Sequence, residues 1–343
     1  MAYTTIDKPT DYFNTVLWTG NATDNRSITG VGFQPDWVWY KERSSTSWHN
    51  LQDVVRGASK QIHSNSTEAE ATNTGTIKAF ETDGFQIGTE ADINENGQTY
   101  VAWNWLAGST ASSNTDGSIT SSVSANTTAG FSIVSYTGTG SNATVGHGLG
   151  VAPSMIIFKN RSDTEGWKVY HKSLGATKNL NFNETGGSQT QSGAFNDTEP
   201  TSSVFSVGTF NSTNGSSDNM IAYCFTEKKA FSKIESYTGN GSTDGVYLHL
   251  GFSASFIMFK RTDSTGAWVM KDNKRDTYNV ATKYLYANAS DSESTSYNID
   301  FTSSGVKLRG SDLQFNASGG SFIYMAFAES PFVTSTGIPT TAR

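Results

Sequence analysis

The sequence holds a single cysteine, Cys224, in 343 residues. No intrachain disulfide can form, and synthesis in a reducing cytoplasm suits such a chain. Charge is also scarce: 16% of residues are charged, against about a quarter in ordinary proteins. No Lys/Arg cluster occurs and the formal net charge is −7, which argues against a nucleic-acid partner, since such a partner would favour a basic face. No run of eighteen apolar residues exists, so no helix is expected to enter a membrane. The opening Met1-Ala2-Tyr3-Thr4-Thr5 lacks a basic segment followed by an apolar run and does not read as a secretory signal. Apolar residues nowhere recur at i, i+3, i+4, i+7 over a helical length.

The groups that carry chemistry are equally sparse. None of His49, His63, His147, His171 and His249 forms an i, i+4 pair or a His-x-His, so no zinc pattern is present. The Asp92–Gly97 loop lacks the full calcium-loop pattern, and no glycine-rich phosphate loop follows a strand. No acidic residue stands at an equivalent position in all three copies of the repeat set out below (Asp163 and Asp263 match roughly, but the first copy has Ser there), whereas a glycosidase needs two facing carboxylates. These absences predict no metal, no cofactor and no catalytic set.

Aromatic residues are plentiful (Trp 8, Tyr 14, Phe 20), among many Gly, Ser, Thr and Asn. That mixture suits short strands joined by polar turns, and it predicts an all-β protein. An internal repeat organises it. Trp18-Thr19-Gly20, Tyr136-Thr137-Gly138 and Tyr237-Thr238-Gly239 are one motif written three times. Each is followed by an apolar strand ending in lysine: Trp37 to Lys41, Met155 to Lys159 and Phe256 to Lys260. The spacing from aromatic to lysine is 23 residues each time, with Gly32, Gly150 and Gly251 at a fixed offset between. Such continuous apolar runs predict strands covered on both faces and central in a sheet.

The periodicity predicts three tandem β-sandwich repeats, of jelly-roll or concanavalin-like type, over 1–108, 129–230 and 231–332. Residues 109–128, with Ser or Thr at 12 of 20 positions, predict a linker, and 333–343 a C-terminal tail. Trp48, Trp167 and Trp268 follow the lysines by seven, eight and eight residues. Burial in the core explains this column. A sharper reading is an aromatic platform for a sugar ring, with Lys41, Lys159 and Lys260 as neighbouring donors.

The opening Tyr3 to Thr15, the Thr-Gly turn, Gly32-Phe33-Gln34-Pro35-Asp36-Trp37 and the closing Tyr324-Met325-Ala326-Phe327-Ala328-Glu329 together resemble a family of tandem-repeat structural proteins of marine tailed bacteriophages, including those of cyanobacteria. The resemblance covers residues 3–332 and departs from the pattern at Ala254-Ser255, where the earlier copies have Pro35-Asp36 and Pro153-Ser154. It implies a non-enzymatic virion protein made in the host cytoplasm: a tail fibre or tail-associated component that contacts host glycan or protein. It implies other virion proteins as partners and a homo-oligomer, a trimer by analogy with phage fibres. An architectural or cement protein without host ligand is the alternative, and a polysaccharide-degrading tail enzyme the third choice.

Overall fold

A computed structural model describes residues 3–340, and it is almost wholly β, with only single-turn helices between strands. Three large sheets are built on one strand order. In the first, Phe13–Thr19 pairs with Thr99–Trp105, which pairs with Trp37–Glu42, followed by Asn50–Asp53 and Lys60–His63. The second runs Phe131–Thr137, Asn219–Phe225, Met155–Asn160, Lys168–His171, Lys178–Asn181. The third runs Ser232–Thr238, Ser321–Pro331, Phe252–Arg261, Val269–Asp272, Ala281–Tyr286. The pairings within these ladders are all antiparallel, and each lysine-terminated strand lies between two neighbours.

The period of two in these strands feeds two cores. On one face Val38, Tyr40, Tyr100 and Ala102 pack under the small sheet of Arg26–Thr29, Gly84–Ile87 and Ile77–Glu81. On the other, Trp37, Trp39, Trp103 and Trp105 enter a cluster that also contains Tyr223 and Phe225 of the second sheet and Phe256 and Phe327 of the third. Trp37 stacks on Tyr223 at 4.4 Å between centroids, Phe13 on Phe327 at 4.9 Å, and Phe182 meets Trp268 edge-on at 4.9 Å. The three sheets therefore share one interior. Each buried aromatic contributes on the order of 2 kcal/mol through apolar burial alone.

This arrangement corrects the reading of 109–128 as a linker. Ser112–Asn114 and Ser121–Asn126 are strands, and the second of them pairs along Phe131–Thr137, extending the second sheet at its edge. The polar composition reflects an edge with one wet face, since Val123 is buried while its neighbour Ser122 is exposed. Of the predicted tail, Val333 bridges Pro339, and 341–343 lie outside the described residues.

The Thr-Gly turns are fixed by close approach. A Cβ on Gly20, Gly138 or Gly239 would stand 2.1–2.2 Å from a backbone oxygen of the facing loop. Behind each turn lies a buried asparagine: Asn94, Asn214 or Asn316. Its Oδ1 accepts the N–H of Asn21, Thr139 or Asn240, and its Nδ2 donates to the carbonyl of Gly88, Gly208 or Gly310 at 2.8 Å.

Two of the three seams between sheets carry buried ion networks. Arg56 is paired with Asp53, both side chains fully buried, and donates to Leu51 O, Lys60 O, Glu70 and Tyr223 Oη of the second sheet. Glu70 in turn accepts two hydrogen bonds from Arg161 of the second segment, at 2.8 and 2.9 Å. The seam between third and first segments repeats this with Asp272, Arg275, Glu293 and Arg43, and there Trp103 Nε1 donates to Asp272.

Candidate functional site

The three lysines of the predicted platform are buried with no exposed surface. Lys159 Nζ donates to the carbonyls of Asn160 (2.6 Å), Glu165 (3.0 Å) and Thr67 of the first segment (3.2 Å). Lys260 donates likewise to Arg261 O at 2.7 Å and to Thr185 O of the second segment at 3.2 Å. Lys41 caps Glu42 O and Ser45 O. Burial lowers each ammonium to about 8. These donors are spent on loop carbonyls, so the lysines tie hairpins together and present nothing to a ligand.

Trp167 and Trp268 are equally buried, at 0% and 1% exposure. Their indole nitrogens donate across seams, Trp167 to His63 O at 2.9 Å and Trp268 to Asn181 O at 3.1 Å. Trp48 is different: it is 36% exposed, the only one of the eight tryptophans above 8%. The register explains why. Tyr40 faces Asn50, Phe158 faces Lys168 and Phe259 faces Val269, so the residue matching Trp167 and Trp268 is His49. His49, Trp167 and Trp268 each give their backbone N–H to an asparagine Oδ1, of Asn65, Asn183 and Asn288, at 2.8–2.9 Å. His49 is buried against Trp39, whose Nε1 donates to its Nδ1 at 2.9 Å, and burial holds its pKa well below the usual histidine range. Trp48 stands one residue earlier, and one step along the chain turns a side chain to the opposite face.

Five of the six predicted site residues are thus structural, and one is retained. Trp48 lines a cleft of about 440 Å³ with Thr46, Ser47, Gln61, His63, Glu68 and Asp92. The hairpin after Trp37–Glu42 supplies Trp48, and the strand Lys60–His63 supplies Gln61 and His63. Asp92 comes from the one-turn helix Ala91–Asn94 that Asn94 anchors, and its Oδ1 accepts from Ser47 Oγ at 2.8 Å. His63 meets the Trp48 ring edge-on at 4.6 Å, and burial lowers its pKa to about 4, so it is neutral above acid pH. The cleft combines one aromatic face with carboxylate, amide and hydroxyl groups. It can stack a flat apolar surface and hold hydroxyls around its rim.

The same place on the second segment is also a cleft, of about 450 Å³, lined by Gly166, Lys168, Asn181, Glu184 and Phe210. Gly166 takes the position of Trp48 there, so that cleft has no tryptophan. In the third segment the place is filled: Gln314 accepts the N–H of Ala267 and donates to Tyr297 Oη, which sits against Tyr284 and Tyr286.

In the sequence Gln61 carries no signal, and Glu68 and Asp92 read as solvated loop carboxylates beside Glu70 and Glu90; the three come from separate loops and strands without a shared spacing, and only the fold brings them to one cleft. Among the described residues, no three His, Cys, Asp or Glu side chains group so as to hold a metal ion. Cys224 is buried between the sheets, and burial raises its thiol pKa far above the ordinary value.

Neither the curated proteins nor the solved structures include a match to this chain. One family model matches residues 8–331, nearly the whole three-sheet body, and by that match the chain belongs to the family described as Domain of unknown function (DUF7483).

Proposed function

We propose that the chain is a non-enzymatic structural component of a phage virion, of tail-fibre or tail-associated type, that contacts a saccharide on the host surface through the Trp48 cleft. The observation carrying this reading is the single exposed tryptophan in a cleft rimmed by Gln61, Glu68 and Asp92. An aromatic face takes the C–H side of a pyranose, and carboxylate and amide oxygens accept hydrogen bonds from its hydroxyls. A body whose three sheets share one interior is a rigid mount for such a contact, which favours affinity by limiting the ordering cost on binding. Assembly with other virion proteins and as a homo-oligomer, a trimer by analogy with phage fibres, belongs to the same proposal.

The test is adsorption. Purified protein labels host cells and competes with phage adsorption, and Trp48→Ala abolishes both while its thermal unfolding stays unchanged. Failure of the wild type in both assays favours an architectural protein that decorates the particle without a host ligand. One observation favours a second reading: Glu68 and Asp92 share the cleft, and a glycosidase works with two carboxylates. Release of reducing ends from host polysaccharide by the wild type, lost in Glu68→Gln and Asp92→Asn, would establish that reading instead.

A further inference from the structure

The sheet registers make the three seams comparable position by position. At each seam one backbone hydrogen bond recurs: Glu70 N–H to Arg161 O at 2.9 Å, Glu293 N–H to Arg43 O at 2.8 Å, and Ser188 N–H to Thr262 O at 2.8 Å. The frame is therefore the same at all three. The side chains are not. Two seams hold Asp, Arg, Glu and Arg at the four network positions, whereas the seam between second and third segments has His171, Leu174, Ser188 and Thr262.

Replacing two arginines and a glutamate by shorter side chains on an unchanged frame leaves space. A cleft of about 440 Å³ lies there, and Leu174, Ser188, Thr262 and Ile323 are among its walls. The opening is thus a departure from the two filled seams rather than a general groove of the fold. Its walls are rich in hydroxyls, including Ser236 and Ser321, which donate and accept alike. Leu174 and Ile323 add an apolar strip. The carboxylate of Asp263 is already engaged by Arg261 at 2.9 and 3.3 Å, so it offers little to a cationic ligand. Lys178 is the one cationic side chain in the lining, too little for a phosphate or sulfate.

We propose that this seam cleft is a second binding site, for a neutral polyhydroxylated ligand of roughly one or two sugar rings, a size matched to its volume. The choice of ligand class rests on the saccharide reading of the Trp48 cleft, but the residues are separate. Two sites on one rigid body would raise the effective concentration of a repeating polysaccharide at each.

The test uses the full chain with labelled Leu and Ile methyls and indole nitrogens, titrated with maltose, cellobiose, lactose and diacetylchitobiose. The Leu174 and Ile323 methyl signals shift saturably with at least one of them. In the triple variant Leu174→Arg/Ser188→Glu/Thr262→Arg, which restores the three long side chains that fill the other seams, apparent affinity at these methyls falls more than tenfold. The single variant Thr262→Arg, which projects one long chain into the cleft, gives the same direction if the triple variant does not fold. Methyls unmoved by all four sugars, or moved equally in the variants, overturn the proposal. The Trp48 indole reports separately: its silence with responsive methyls removes only the Trp48 site, and the converse removes only this one.

Discussion

Replacing Arg56 by methionine isolates the role of the buried networks in holding the sheets together. The guanidinium has no exposed surface, and neither has its partner Asp53. It also satisfies the carbonyls of Leu51 (2.8 Å) and Lys60 (3.0 Å) and meets Glu70 at 3.2 Å. Methionine keeps much of the volume but leaves Asp53 buried without its cation. Loss of one partner of such a pair costs about 3–5 kcal/mol. With an unfolding entropy of about 2.1 cal/mol/K per residue, a chain of this length loses roughly 4–7 °C of melting temperature. Calorimetry of Arg56→Met measures this, and the double variant Asp53→Leu/Arg56→Met supplies the control. With both charges gone, no ion is left unpaired, so the double variant recovers at least half of the loss. A loss below about 1 kcal/mol in Arg56→Met, or a double variant no better than the single, refutes the reasoning.

Three further outcomes follow from the packing. Asn316→Ala removes the two Nδ2 N–H groups, which are shared among Gly310 O, Ser242 O and Asn240 Oδ1, and one acceptor, so urea denaturation shows a loss of about 2–4 kcal/mol. Trp268→Ala empties a core site and costs about 3–5 kcal/mol, whereas Trp48→Ala changes stability by less than about 1 kcal/mol. The folded-state pKa of His63 and of His171 lies at about 4, chiefly through burial. Between the unfolded value of about 6.5 and pH 4 the unfolded chain binds protons that the folded chain refuses, so stability falls as pH drops through that window. A series of denaturation curves from pH 7 to 4 shows the decline, and His171→Leu makes it shallower.

The all-β architecture was legible in the chain because short apolar strands and polar turns leave little else for such a composition to form. The lysine-terminated strands were legible too, since a strand wet on either face would alternate where these do not. What misled was a single step of register. The tryptophan column stands at offsets of seven, eight and eight from the lysine, whereas a strict offset of eight selects His49 in the first copy. Because side chains alternate across a strand, that one residue separates a buried imidazole from an exposed indole. The lysines misled for another reason: a cation among apolar neighbours reads as a surface donor until its carbonyl partners are seen. Residues 109–128 read as a linker from composition, yet Ser and Thr serve an edge strand with a wet face equally well. Neither seam cleft nor Trp48 cleft could be foreseen, since each is assembled from segments distant in sequence and closed by packing among the three sheets. The asparagines at 94, 214 and 316 did leave a signal, each standing six residues after the glycine that ends a strand.

Collisional quenching gives the most direct test of the Trp48 contact. With seven tryptophans at 8% exposure or less, acrylamide should reach one component of the emission, and Trp48→Phe should remove it. Oligosaccharide fragments of the host envelope, added to the wild type, should shield that component in proportion to their occupancy of the cleft. An accessible component that is present but unchanged at saturating fragment concentrations would contradict the proposed saccharide contact.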